Sequence, residues 1–166
     1  MKKKPLIATI ALMLVLLLPV MFACAPEKEV EPEDTVPATL VGPTEGIPSA
    51  PALLLSPIDF SGSNWKPGEL VIIELIVPEG IEMPSLEAGE DSVGIAFGTA
   101  DDEGNLEASV EGVTKLNYLL RMGWQPNMLP DIETYNPLPP GTYTVRATGF
   151  DSGKVATCAL EFVPLE

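Results

Sequence analysis

The chain has 166 residues, with 24 acidic side chains against nine lysines and arginines, no histidine and a net charge of −15. A surface so acidic repels nucleic acid and anionic headgroups. The missing imidazole removes the commonest general base and the commonest metal ligand, no glycine-rich phosphate loop opens a helix, and the expectation is a non-enzyme that takes no cofactor.

In chain order, Lys2, Lys3 and Lys4 precede an apolar run from Leu6 to Ala23 that only Thr9 and Pro19 interrupt. A basic start, an apolar core and small residues at its end predict an export signal over residues 1–23. The run is also long enough for an uncleaved membrane helix. The next residues favour cleavage: Met21-Phe22-Ala23-Cys24 resembles a bacterial lipobox. That resemblance implies that Cys24 is lipidated and becomes the new N-terminus, held by two acyl chains where one would be marginal. Plain secretion with a cut in Ala23-Cys24-Ala25 is the alternative, and it would leave Pro26 directly after the cut. Cleavage leaves 24 acidic against six basic side chains, a net charge of −18. Lipidation of Cys24 would also leave Cys158 without a partner, so the expected domain is held by its core alone.

Residues 24–50 hold Glu27, Glu29, Glu31, Glu33 and Asp34 among scattered prolines, with no aromatic residue. Too few apolar groups are present to offset the entropy of ordering, and the prediction is a disordered acidic tether.

From Pro51 to Glu166 the pattern becomes that of a β domain. A first strand falls near Ala52–Phe60. The second is the clearest: Val71, Ile73, Leu75 and Val77 alternate with Leu70, Ile72, Glu74 and Ile76, between Pro67-Gly68 and Pro78-Glu79-Gly80. A third strand presents Val93, Ile95 and Phe97 on one face and Gly94, Ala96 and Gly98 on the other. After a turn at Asp101–Asn105, Leu106, Ala108 and Val110 form a fourth. In Lys115–Gln125 the even positions Leu116, Tyr118, Leu120, Met122 and Trp124 are all apolar, which predicts a fifth strand, with a short helix ending at Gly123 as the alternative. A proline-rich loop over 126–140 leads to a sixth strand with Tyr143, Val145 and Ala147 inward. The seventh carries Ala156, Cys158, Leu160 and Phe162 on one face.

Two segments carry a family likeness. Gly62-Ser63-Asn64-Trp65-Lys66-Pro67-Gly68-Glu69 resembles the turn before the second strand of bacterial immunoglobulin-like surface repeats, and Pro140-Gly141-Thr142-Tyr143-Thr144-Val145 resembles the opening of their penultimate strand. The resemblance is to a bacterial immunoglobulin-like domain surface lipoprotein. It implies an all-β, immunoglobulin-like seven-stranded β-sandwich, with Tyr143 as a corner tyrosine bonded back to the preceding loop. The cysteine bridge of antibody domains is absent, and Val71 or Ile73, Val145 and Phe97 stand in its place as ordinary apolar core.

Four places in the sequence could carry chemistry. Ser63-Asn64-Trp65-Lys66 matches the S-x-x-K nucleophile motif, but that motif needs a helix and Pro67-Gly68 follows at once. Trp65 is better read as a plug over one end of the sandwich. Cys158 shares a face with apolar residues and reads as an inert buried thiol. Asp101, Glu103 and Asn105 could offer calcium oxygen ligands, although a solvated turn explains them better. In the 126–140 loop, Met128, Leu129, Ile132 and Tyr135 are the candidate ligand-binding residues. Equally, they could fold back to cover the apolar outer face of the second strand, formed by Leu70, Ile72 and Ile76.

The expected function is a non-catalytic cell-envelope lipoprotein, extracytoplasmic and membrane-anchored through Cys24, that displays a binding or interaction module toward an envelope protein or a polysaccharide. The alternative is a structural spacer or accessory subunit of a larger surface assembly.

Overall fold

The computed structural model describes residues 36–48, 51–83, 86–87 and 89–164. The export signal, Cys24 and the tether as far as residue 35 lie outside the described residues. Within them the chain is all-β. Three antiparallel strands form one sheet in the order β1 (Thr39–Val41), β3 (Asp59–Ser63), β6 (Leu106–Ser109). A second sheet has the order β2 (Ile47–Pro48), β10 (Val155–Val163), β9 (Gly141–Gly149), β4 (Leu70–Ile76), β5 (Ser92–Thr99), parallel only between β2 and β10. A short ribbon pairs β7 (Gly123–Trp124) with β8 (Pro130–Asp131). Both larger sheets feed one core: Leu40, Phe60 and Leu106 from the first, Ile73, Leu75, Val145 and Leu160 from the second. Each such side chain contributes about 1.5–3 kcal/mol of burial.

The period-two patterns of β4, β6, β9 and β10 place the expected residues inward. Four expectations are corrected. The domain does not begin at Pro51: Leu40 and Ile47, inside the stretch assigned to the tether, are buried, and their strands pair with β3 and β10. Two apolar residues were enough to draw this segment onto sheet edges, despite the prolines around them. The strand expected at Ala52–Phe60 begins instead with a 3-10 turn, Pro51–Leu54, and only its end is extended.

The third strand carries a bulge. Ile73 pairs with Ala96 and Glu74 with Gly94, so Ile95 is an extra residue in β5. Ile95 and Ala96 are therefore both buried, the alternation reverses, and Phe97 turns outward with 73 % of its surface exposed. The fifth strand is helical instead. A turn of α-helix, Gly112–Thr114, continues as a π-helix, Lys115–Leu119. Buried Lys115, Leu119 and Leu120 share the inward side, a spacing that a strand would split between two faces. The Lys115 ammonium donates to the Ser56 carbonyl at 2.6 Å and ties this helix to the loop before β3.

Strand pairing also departs from the resemblance. Immunoglobulin domains keep their second and sixth strands in opposite sheets. Here the strands at those places, β4 and β9, are hydrogen-bonded neighbours, with Ile73 opposite Ala147 and Leu75 opposite Val145. The corner tyrosine does form: the Tyr143 hydroxyl donates to the Pro139 carbonyl at 2.9 Å, and its ring meets Phe162 edge-on at 5.3 Å.

Strands β3, β5 and β9 all run toward one end, which their following turns close. There the chain also joins the domain, where the Asn64 amide donates to the Pro37 carbonyl. Trp65 plugs this end, fully buried, and its amide donates to the Gly104 carbonyl at 3.1 Å. Gly104 has φ +79, and a Cβ there would lie 2.5 Å from the Trp65 carbonyl oxygen. Beside Trp65 sits the buried carboxylate of Glu69, 1 % exposed. It accepts from the Lys66 amide at 2.6 Å and from the Ser152 amide and hydroxyl at 3.0 and 2.9 Å. Burial works against its charge, but the Ser152 and Lys66 amides and the Ser152 hydroxyl outweigh it and hold the carboxyl below its ordinary range.

Three outcomes are expected. Glu69→Gln should lower stability by about 1.5–3 kcal/mol at neutral pH, since a hydrogen bond to a charge is lost. Because the folded value is lowered, the native contribution is complete above about pH 5 and disappears as pH falls through the folded value. Urea titrations across pH should therefore show the two proteins converging in acid. Gly104→Ala should cost more than an ordinary surface change, by clash and by positive φ. Tyr143→Phe should cost about 0.5–1.5 kcal/mol in the same titration.

Candidate functional site: a clamped hairpin and an open groove

The helix and the β7–β8 ribbon follow β6 and precede β9. They therefore stand at the end of the strands opposite the one where the chain joins the domain. The base of this segment is fixed. Leu119 and Leu120 are buried, and their carbonyls accept from the Leu138 and Asn136 amides. The Arg121 guanidinium spans three carbonyls, those of Asn136 at 2.6 Å, Glu82 at 2.9 Å and Pro137 at 3.3 Å. Thr134 accepts from the Gly123 amide at 2.6 Å and donates to the Asp131 carbonyl at 2.7 Å. Arg121 itself sits at φ +48, a backbone geometry that these contacts hold in place.

The tip is the reverse. Met128 and Leu129 are exposed, at 77 and 57 %, and so is Ile132 just past β8, at 75 %. Trp124 stands beside them, half-exposed, its indole N–H donating to Asn117 at 2.7 Å. Met128 adopts φ +63, where an apolar side chain is rarely found. Of the four loop residues singled out by sequence, Met128 and Leu129 lie at the tip, and Ile132 is exposed just past β8, nearer the base. Tyr135 packs against the core instead. Trp124 was missed because its place in an apparent strand alternation pointed to the core.

The loop does not cover the outer face of β4. Leu70 and Ile72 remain partly exposed and join Phe97 along a groove of about 750 Å³ between the edges of β5 and β6. None of residues 126–140 lines it. The Leu70 and Ile72 pattern was the legible sign of this surface. Phe97 was hidden by the bulge.

The remaining candidates are turn and core elements. Asp101 accepts from the Glu103 and Asn105 amides and from the Asn105 side chain, chiefly the Asn105 amide holding its carboxyl below the ordinary range. Its oxygens thus build the turn that Gly104 completes. Among the described residues no three acidic or cysteine side chains gather as a metal site would need. Burial pushes the Cys158 thiol up, against an opposing Gly42 amide contact, which disfavours the thiolate. The Ser63 hydroxyl pairs with Thr39 at 2.9 Å, within a strand and not at a helix start. Among the described residues no helix is long and apolar enough to cross a membrane.

No family model matches the chain, and no curated protein matches it. Solved structures give distant likenesses. Macromomycin is similar at 13 % identity and a TM-score of 0.40, over 76 % of this chain and 99 % of that one. BslA, described as a bacterial hydrophobin, is similar at 14 % identity and a TM-score of 0.36, over 79 % of this chain and 97 % of that one.

Removal of the clamp should free the hairpin. Arg121→Ala is expected to cost about 1–3 kcal/mol and to open the segment between Trp124 and Ile132 to limited proteolysis. Met128→Gly should leave the fold intact and raise stability by about 0.5–1 kcal/mol, by relief of the left-handed backbone.

Proposed function

We infer that this chain is a cell-envelope lipoprotein, anchored outside the cytoplasm through acylated Cys24, that displays a non-catalytic binding module. The observation that carries this reading is the hairpin, whose rigid base presents Trp124, Met128, Leu129 and Ile132 to solvent. Exposed apolar side chains held on a fixed frame lose little entropy on binding, which suits recognition. Their place at the end opposite Pro37, where the Asn64 contact holds the chain, fits display outward to a protein or polysaccharide of the envelope. The local immunoglobulin-like motifs, the capped tryptophan and the corner tyrosine, support a module related to those surface repeats but with β4 and β9 joined in one sheet. The open groove beside β5 favours a second role as an accessory subunit.

Two measurements test the reading. Metabolic labelling with an alkyne fatty acid should mark the wild type and not Cys24→Ser, and the variant should leave the membrane fraction. Cross-linking on intact cells should recover a defined neighbour that is lost when Met128, Leu129 and Ile132 are all changed to Ser. These residues are exposed, so folding should persist. Recovery of the same neighbours from both proteins would refute the hairpin as the binding element.

A further inference from the structure

The two sheets meet along β5 and β6, and each of these strands is the last of its sheet. Near their connecting turn the backbones nearly touch: a Cβ on Gly98 would lie 2.6 Å from the Glu107 carbonyl oxygen. Away from the turn they part, and the groove opens between them. At Gly94 a Cβ would meet nothing within 4 Å, so the side-chain face of β5 is open there, and no strand of the described chain pairs with its outer edge.

β5 is an unusual edge. Its eight residues, Ser92–Thr99, include no charge and no proline, the features that commonly protect edges from pairing with another strand. Only the bulge at Ile95 interrupts it. Beside it, Ile72 and Phe97 offer an apolar shelf that the rest of the described chain leaves uncovered. On the opposite wall the charges have one sign. Glu107 and Glu111 line the groove, and no lysine or arginine does.

That polarity selects the occupant. A second copy would bring another pair of carboxylates and another net charge of −15 to the same place. The chain's own segment from Glu27 to Asp34 is acidic and holds a proline, which suits neither the wall nor a ladder of hydrogen bonds. A strand with apolar residues on one face and lysine or arginine on the other satisfies both walls at once.

We propose that the groove between β5 and β6 takes an extended, basic and apolar segment of a partner protein as an added strand on β5. Its apolar side chains lie over Ile72 and Phe97, and its cations face Glu107 and Glu111. Main-chain hydrogen bonds supply the affinity of such strand addition, and alternate side chains supply the selectivity. This site is separate from the hairpin and stands whether or not the hairpin binds.

The test uses the full chain and a fluorescein-labelled peptide of alternating lysine and valine, titrated by anisotropy. Binding is expected, weakened tenfold or more in the Glu107→Lys/Glu111→Lys double variant and in Phe97→Lys, and absent for the matching glutamate–valine peptide. Methylation of alternate peptide amides should abolish it, and hydrogen exchange should slow at β5. All of these side chains are exposed, and circular dichroism checks that the variants fold. The Met128, Leu129 and Ile132 triple-serine variant should bind the peptide as the wild type does. No binding, binding indifferent to amide methylation, or loss only in the triple-serine variant would each overturn the proposal. So would a dimer in sedimentation that Phe97→Lys dissociates.

Discussion

A single buried carboxylate organises one end of this domain. Glu69 joins the turn before β4 to the turn between β9 and β10 through Ser152, while its own carbonyl accepts from Ala100 at the end of β5. A charge so enclosed is tolerated only because amide and hydroxyl donors surround it. Gly149 is part of the same constraint, since a Cβ there would lie 2.6 Å from the Glu69 carboxylate. With Trp65 seated beside it, this joint brings the turns of both sheets together and leaves the opposite end free to carry the helix and the hairpin.

Much of the framework was legible because a half-buried strand writes its burial as alternation. β4, β6, β9 and β10 were read this way. The features that were not legible arise from pairing between distant residues. Nothing local to Val93–Phe97 reveals that Ile95 will be skipped by β4, yet that skip turns Phe97 from core to surface. The Lys115–Leu119 helix was hidden because its flanks, Tyr118 and Met122, are apolar enough to mimic a strand, while the buried Lys115 looks like a surface residue until its Ser56 partner is known. β1 and β2 escaped notice because they are short, lie among prolines, and bury Leu40 and Ile47 through pairing with the distant β3 and β10. For the site, loop length and apolar content pointed to Met128, Leu129 and Ile132. They could not separate these from Tyr135, which the fold turns inward.

The exposed apolar surfaces and the acidic charge belong together. Apolar groups held on a rigid hairpin and an unprotected strand edge would ordinarily invite self-association. Between copies of a chain this acidic, that attraction must work against mutual repulsion. The acidic charge thus opposes association of these surfaces between copies.

The small strand β1 has a mechanical meaning. The chain joins it at the Trp65 end of the domain, and β1 then runs alongside β3 toward the hairpin end, with Thr39, Leu40 and Val41 opposite Ser63, Gly62 and Ser61. A pull between the start of β1 and the hairpin acts along the strand axis. The β1–β3 contacts must then slide together and cannot unzip one at a time. Tension meets a short clasp loaded in shear before it reaches the core.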